Sequence, residues 1–599
     1  MRKLLTTLFT VSLLTASMGI NTTLVTAGYK PYDALVPSTD EIFSWIEEMV
    51  ALSVPPYYRR SGTIGDAQVR QYLYDKFVEF GLQDVRIEPV EFVRRWYNEW
   101  SLTINGMEMP CFFMRECAFT EGTTAEIVYA GETVEEGDNV EGKIAVVDVR
   151  FADLDPSLIA HFSYFVYDPG DTMAGLSHPA VWVPINMPDA YINASTLGAV
   201  GFVGILKDYL PNSNNFYPDV SVMVPPIIPA VWVSREDGSN IKEILDNTTE
   251  PVYATIRVNG GVDENAVSGN VVGVLSGKTD DVIIVCSHHD SAFYGAVQDA
   301  SGTSVVLAIA KYFAKIPRAL RDKTLVFVID CNHFDWDYPK GGKKFIERHP
   351  DLIEKTLVAI GIEHIAKDFD VIDGELVYTG YVEPRGLFAP RNPLLVRFAE
   401  KAIVKNNLVR TLLIQTESPL GIPGEPQGYY NVGVPIYSLI SGPEWLFDLE
   451  DTLDKVAKDQ LVPVAKTFID IINWIDDVPS ALLRNPPLVP PPLPPFPPLP
   501  PYPGWGKLYQ GMGFMRDSNP YNGESFLYIR PAYIDLPFEA VYLGINELGW
   551  IGPWKIEQKF ENHKTIYKCQ GELGTLWIYV YNKTVLAKGD GVLFVGKVL

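Results

Sequence analysis

The sequence predicts an α/β protein whose mostly parallel sheet is sandwiched by helices, with a β-rich insert and a C-terminal all-β domain. Three observations carry this. From Asn270 to about Trp474, short runs rich in Val and Ile ("DVIIVCSHHD", "TLVFVIDCNH", "VPIYSLISG") alternate with helical segments such as "SVVLAIAKYFAKI", the pattern of parallel strands buried on both faces. Between about Met107 and Val258 the pattern turns β-rich and irregular. From Gly504 to Leu599 apolar and polar residues alternate in short runs broken by Gly and Asn, which reads as a small β domain.

A chain of 599 residues exceeds what one hydrophobic core holds, so several domains are expected. Arg2 and Lys3 precede an apolar stretch from Leu4 to about Leu14, and small residues follow to Val25-Thr26-Ala27. This predicts an export signal over 1–27 and a secreted or cell-surface-associated chain. Thr6, Thr7, Thr10, Ser12, Thr15 and Ser17 interrupt the stretch, so a membrane anchor is not expected, and no later segment is apolar and long enough to span a bilayer. Asn21, Asn193, Asn247 and Asn582 head N-x-S/T triplets that accept glycans where the host makes them. Acidic residues outnumber basic ones 74 to 49, a formal charge of -25, which repels phosphate backbones and excludes nucleic acid as an expected partner.

The segment from Thr39 to Phe92 reads as helix, turn, helix and strand, with Val69, Tyr72, Leu73 and Phe77 at helical spacing. It opens an α/β domain over 28–106 and 259–478, interrupted by the insert over 107–258. A proline-rich segment closes this part at 479–503: twelve of the eighteen residues from Pro486 to Pro503 are proline, which forces polyproline II. Leu493, Phe496, Leu499 and Tyr502 recur every third position and so share one face of that three-residue turn. The stripe predicts docking on this chain or on a partner, and a solvated spacer is the alternative. The β domain occupies 504–599. Of five cysteines, Cys111 and Cys117 are close enough in sequence to pair. Cys286 and Cys331 are read as buried thiols or as a disulfide between neighbouring strands.

The chemistry should lie just after the strands, because ligands bind at the carboxyl ends of such sheets. There the string "CSHHDSAFYGAVQDASGT", residues 286–303, resembles the H-x-D-S and D-x-x-S-G pattern of metallopeptidase family 28, the zinc aminopeptidases and glutamate carboxypeptidase-like enzymes. The strings "GKIAVVDVR", "LGAVGFVGIL" and "IIPAVWVSREDGSNIKEIL" are similar to the protease-associated domain that such enzymes carry as a lid-like insertion. The resemblance covers roughly 39–478. It implies a zinc-exopeptidase-like fold, peptide substrates, and a zinc-binding His288 oriented by Asp290.

The rest of the implied site departs from the family. Gln298 stands where an aspartate bridges two metals, and a neutral amide lacks the charge to do so. Asp299 is adjacent, but one residue along a helix start turns a side chain about 100° away. Asn332 holds the general-base position and accepts no proton from water. His333 replaces a glutamate ligand and Glu363 an aspartate ligand. Phe447, placed by Glu450-Asp451-Thr452 and Gly433-Val434-Pro435, takes the position of the last histidine. Two readings stay open. In one, His288, His333 and Glu363 converge on a single zinc, with Asp299, His289 or Glu425 as base, in an aminopeptidase-type hydrolase. In the other, no metal functions and the fold serves extracellular binding or self-association.

Overall fold

Two capped helices open the chain. The Ser38 side chain accepts the Glu41 N–H ahead of helix Thr39–Ala51, and Thr63 does the same for Asp66 ahead of helix Ile64–Phe80, each satisfying an amide left free by the first turn. Gly81, at φ 85, ends the second helix in the left-handed conformation that glycine adopts without steric cost. The computed structural model describes residues 33–218, 224–334, 340–418 and 421–484, and the strands between 507 and 598. The expected export signal, Asn21, Asn582 and the stripe Leu493, Phe496, Leu499 and Tyr502 lie outside the described residues.

Strand Gln83–Ile104 pairs antiparallel with strand Tyr253–Leu275 along its whole length, from Gln83↔Val274 to Ile104↔Ala254. This ribbon joins two sheets. At one end, strands Thr120–Tyr129, Ile144–Val149, Gly201–Leu206 and Ala230–Val233 form a smaller sheet with mostly parallel pairs. At the other end lies the central sheet. Its strands Thr324–Asp330, Val282–His288, Thr356–Ile362 and Ile436–Ser441 are parallel neighbours in that spatial order, so their carboxyl ends meet at one edge.

The apolar runs are buried on both faces, as their lack of alternation predicts. Ile283 and Val285 face a core shared with helices Gly302–Ala314 and Leu461–Asp477, while Ile284 and Cys286 face a second core with Phe345 and Tyr429. All five cysteines are free thiols. The pairings considered from sequence are therefore absent, and Cys286 and Cys331 are buried in the core and at its edge. The last strands, Lys507–Met515 to Val592–Val598, form a closed eight-stranded antiparallel barrel, which leaves no strand edge unpaired. No helix among the described residues is long and apolar enough to cross a membrane.

One excursion ties the smaller sheet to the far edge of the central one. Strand Ser163–Tyr167 pairs antiparallel with Thr411–Gln415, and the hairpin of Phe151–Leu154 and His178–Pro184 returns the chain. Trp182 fills the space beside Gly442, where an added Cβ would meet its ring at 1.9 Å. His178 Nε2 lies 3.3 Å from Glu383 Oε1, with Glu383 buried and the His178 side chain 14% exposed. Burial alone pushes the His178 imidazole down, but Glu383, with Glu444 and Asp368, outweighs it and raises His178 to about 9. A histidine raised above its unfolded value stabilises fully below about pH 6.5 and loses that contribution as pH climbs through about 9. Thermal melts from pH 6 to 10 should therefore show a decline over this window of about 2 kcal/mol. His178→Gln should flatten it, and equal decline in both proteins would rule the pair out as its source.

Candidate metal centre

The carboxyl ends of the parallel strands place His288, Asp330 with Cys331-Asn332-His333, and Glu363-His364 around one point. Every one of these side chains is at least 95% buried, His288 and Asn332 completely. Gln298 and Asp299 arrive from the turn before helix Gly302–Ala314. That turn is not yet helical: Gln298 has φ -107, ψ 96 and Asp299 φ -131, ψ 41. The expectation of a helix start at Asp299 is corrected here: neither residue has helical φ/ψ, so the 100° offset between successive helical positions does not apply. The Asp299 carboxylate accepts from Ser287 Oγ and from the N–H groups of Gly302 and His364, the last two at 3.2 and 3.1 Å.

The hydrogen bonds fix which lone pairs are left over. His288 Nδ1 lies 3.0 Å from the Asp290 carbonyl and His364 Nδ1 lies 2.8 Å from the Ser441 carbonyl. A carbonyl only accepts, so both Nδ1 atoms carry the proton and both Nε2 atoms present bare lone pairs. Neither Nε2 has a partner, nor has Glu363 Oε2, whose sister Oε1 accepts the Glu425 N–H at 3.1 Å. Asp290 orients His288 as expected in direction, but through its main chain. Its carboxylate Oδ1 is 3.4 Å from Nδ1, while Oδ2 accepts from Ser61 Oγ and the His333 N–H.

Two groups of potential metal ligands place one ligand atom each within 4.8 Å of one another: His288, Glu363 and His364, and His288, His333 and Glu425. The three residues singled out from sequence, His288, His333 and Glu363, are thus divided between the groups. His333 is engaged on both nitrogens, with Nδ1 2.9 Å from Glu425 Oε1 and Nε2 3.5 Å from the Gln298 amide nitrogen. Its ring also stacks on His288, with centroids 3.9 Å apart and planes 10° from parallel. Imidazole lone pairs lie in the ring plane, so rings stacked in this way cannot aim at one ion. Sequence reading passed over His364 as a ligand. The histidine beside Glu363 was the available signal, but its φ of 52, which turns the side chain into the site, is not readable from residue type.

Burial dominates the electrostatics. It drives His288 well below the usual imidazole value, with His333 adding to the effect, and takes His364 down to about 3. It drives Glu363 well above the carboxylate range, with Glu425 adding to the rise, and takes Glu425 up to about 8. These directions express one fact: in a dry site neutral forms win unless a cation supplies the missing charge.

The fit to metal follows. A two-zinc site is not supported, because Gln298 supplies no bridging carboxylate and Phe447 supplies no donor. One ion fits, because two neutral imidazoles and a carboxylate present free donor atoms to the same space. Of the three candidate bases, two are turned to other partners and Glu425 keeps one oxygen, Oε2, without a partner. Asp299 is hydrogen-bonded as above, His289 turns away to the Gly269 carbonyl and Asp66, and Glu425 holds His333. Asn332, which the sequence resemblance sets against the family's base, has neither amide atom hydrogen-bonded.

Aromatic rings cover the donors. Phe334 lies 5.1 Å from His333 and 6.2 Å from His288, and Tyr217 and Phe447 pack on it at 6.0 and 6.5 Å. The Tyr217 N–H bonds the Phe447 carbonyl at 3.0 Å and Ser213 Oγ bonds Asp448, so the loop from the smaller sheet is latched over the site. A narrow cleft of about 20 Å³ is lined by Arg60, Arg94, Trp96, Tyr217, Ser61 and Asp290. The space beside Gln298, bordered by Phe293, Phe334 and Leu446, has no room for a water molecule.

Fold and site together define an α/β metallopeptidase-like protein with a histidine and carboxylate cluster at its strand ends. More particularly, the chain has an M28 metallopeptidase-like fold: residues 270–367 match the family model of peptidase family M28. A peptidase M28 precursor from Shewanella amazonensis SB2B superimposes with a TM-score of 0.56 at 18% identity, covering 73% of this chain and 93% of that one. A zinc aminopeptidase from Bacillus subtilis gives a TM-score of 0.51 at 19% identity, covering 74% and 96%. At such identities the likeness establishes the fold. No curated protein matches the chain.

Gly424, at φ +74, is packed so closely that an added Cβ would lie 1.9 Å from Glu363 Oε1, whereas Gly421, at φ +72, faces open space. Gly424→Ala should therefore cost about 3 kcal/mol and Gly421→Ala about 1 kcal/mol. Equal losses in urea denaturation would show that Glu363 is not held where the structure has it.

Proposed function

We propose that this chain is an exported protein that uses an M28 aminopeptidase-like fold for extracellular binding or assembly and does not hydrolyse peptides. Asn332 carries the reading. Peptide hydrolysis by metal-activated water needs a group that takes the water's proton, and the residue that the family resemblance puts at that position is a buried amide, while Glu425, whose Oε2 has no partner, is tied to His333 through Oε1. The cover of Phe334, Phe447 and Tyr217 supports the same reading, because a substrate would have to displace all three rings.

The signal-like N-terminus supports export. The strings of the smaller sheet support its reading as a protease-associated insert, here a latch on the site. The proline stripe and the C-terminal barrel are the proposed contact surfaces, toward a second copy of this chain or another extracellular protein.

Purified chain supplied with zinc should release no chromophore from aminoacyl 4-nitroanilides above the buffer rate. Turnover that a chelator removes, zinc restores and His288→Ala abolishes would overturn the proposal and install a mononuclear exopeptidase in its place. Phe496→Ser combined with Leu499→Ser should lower the sedimentation coefficient of the assembled protein. An unchanged coefficient and melting temperature would count against the stripe.

A further inference from the structure

The free lone pairs of the site demand an explanation whether or not the protein is an enzyme. His288 Nε2, His364 Nε2 and Glu363 Oε2 are all buried and all without a partner. The two imidazole Nε2 atoms carry no hydrogen, because the Nδ1 protons are given to carbonyls, and a neutral Glu363 has at most one proton to offer between them. One proton leaves at least one of these buried acceptors unsatisfied, whereas a positive centre satisfies all three. Glu363 Oε2 and His364 Nε2 are 3.9 Å apart. Donors bound at about 2.0–2.2 Å around a tetrahedral zinc lie roughly 3.3 Å from one another, so closure needs shifts of about an ångström.

We propose that His288, Glu363 and His364 hold a single divalent ion of the zinc class as a structural centre, with His364 a ligand and His333 not one. This deepens the proposed function and rests on it for the structural rather than catalytic role of the ion. His364 is held for the task. Its backbone sits at φ 52, a conformation that costs a non-glycine residue on the order of 1 kcal/mol. It is fixed there by two bonds with Ser441, one from its Nδ1–H to the Ser441 carbonyl and one from Ser441 Oγ to its own carbonyl at 2.5 Å. Glu363 is fixed by the Glu425 N–H and by Gly424 at its back. His288 is fixed by the Asp290 carbonyl. His333 fails as a ligand because its plane parallels that of His288 and its nitrogens face Glu425 and Gln298. The ion joins the ends of strands Val282–His288 and Thr356–Ile362 and neutralises the buried Glu363. Its readouts are stoichiometry and stability.

The test uses the full-length chain, stripped with a chelator and reloaded with zinc or cobalt(II). Wild type should take up about one ion per chain and melt several degrees higher when loaded, since binding to the folded state alone stabilises it by mass action. His364→Gln should lower affinity at least about tenfold, as loss of support around a metal does, and erase the thermal gain. His333→Gln should keep both. Cobalt(II) reports the ligand set by its visible spectrum, which should change in His364→Gln and not in His333→Gln. A wild-type chain that binds no ion, or a His333→Gln chain that loses it as completely as His364→Gln, overturns the assignment. Peptide hydrolysis is scored separately, so a loaded but inactive chain supports both proposals and a loaded, active chain sinks only the non-hydrolytic one.

Discussion

Desolvation at the carboxyl ends of the parallel strands is the constraint on which the rest of the site depends. Parallel strands deliver their ends to one edge of the sheet, and helices on both faces with aromatic rings above keep that edge dry. In that setting each polar atom needs a specific partner, because water does not reach it. The carbonyls of Asp290 and Ser441 meet the Nδ1 protons of His288 and His364, and the N–H groups of Gly302, His364 and Glu425 meet Asp299 and Glu363. What these partners leave over is a set of acceptors, and the chemistry of the site is the chemistry of that remainder.

The latch from the smaller sheet follows from the same constraint. Phe447 offers an apolar surface where a histidine would offer a donor, and apolar surface next to a buried cluster is stabilised by more apolar surface. Phe334, Tyr217 and Phe216 supply it, and the main-chain bond from Tyr217 to Phe447 fixes the loop. The arm through Ser163–Tyr167 adds a strand to the far edge of the central sheet. Two separate attachments therefore hold the smaller sheet against the larger, and a lid held at both ends is part of the packing.

Much of this was legible from residue order. Val- and Ile-rich runs gave the buried strands, because a strand covered on both faces has no polar side to alternate with. The matching of His288, Asn332 and Phe447 to site positions, with the expected loss of base and bridging ligand, came from the resemblance of their motifs to the family's. The split between His333 and His364 was not legible. Both are histidines two or three residues beyond a strand end, and their difference lies in ring plane and backbone angle. The same holds for Asp299, whose direction depends on a turn that is not yet a helix, and for the cysteines, whose pairing depends on distances between strands.

The sequence by itself determined the α/β class, the order of the units, the acidic surface and which residue types stand at the strand ends, because burial periodicity and motif spacing are properties of one dimension. Only the tertiary structure decided which lone pairs meet. The hydrogen bonds that fix a tautomer come from residues such as Ser441, 77 positions from His364, and the rings that close the site come from a different sheet. Metal donors are selected by direction as well as by identity, and direction exists only once the chain has folded.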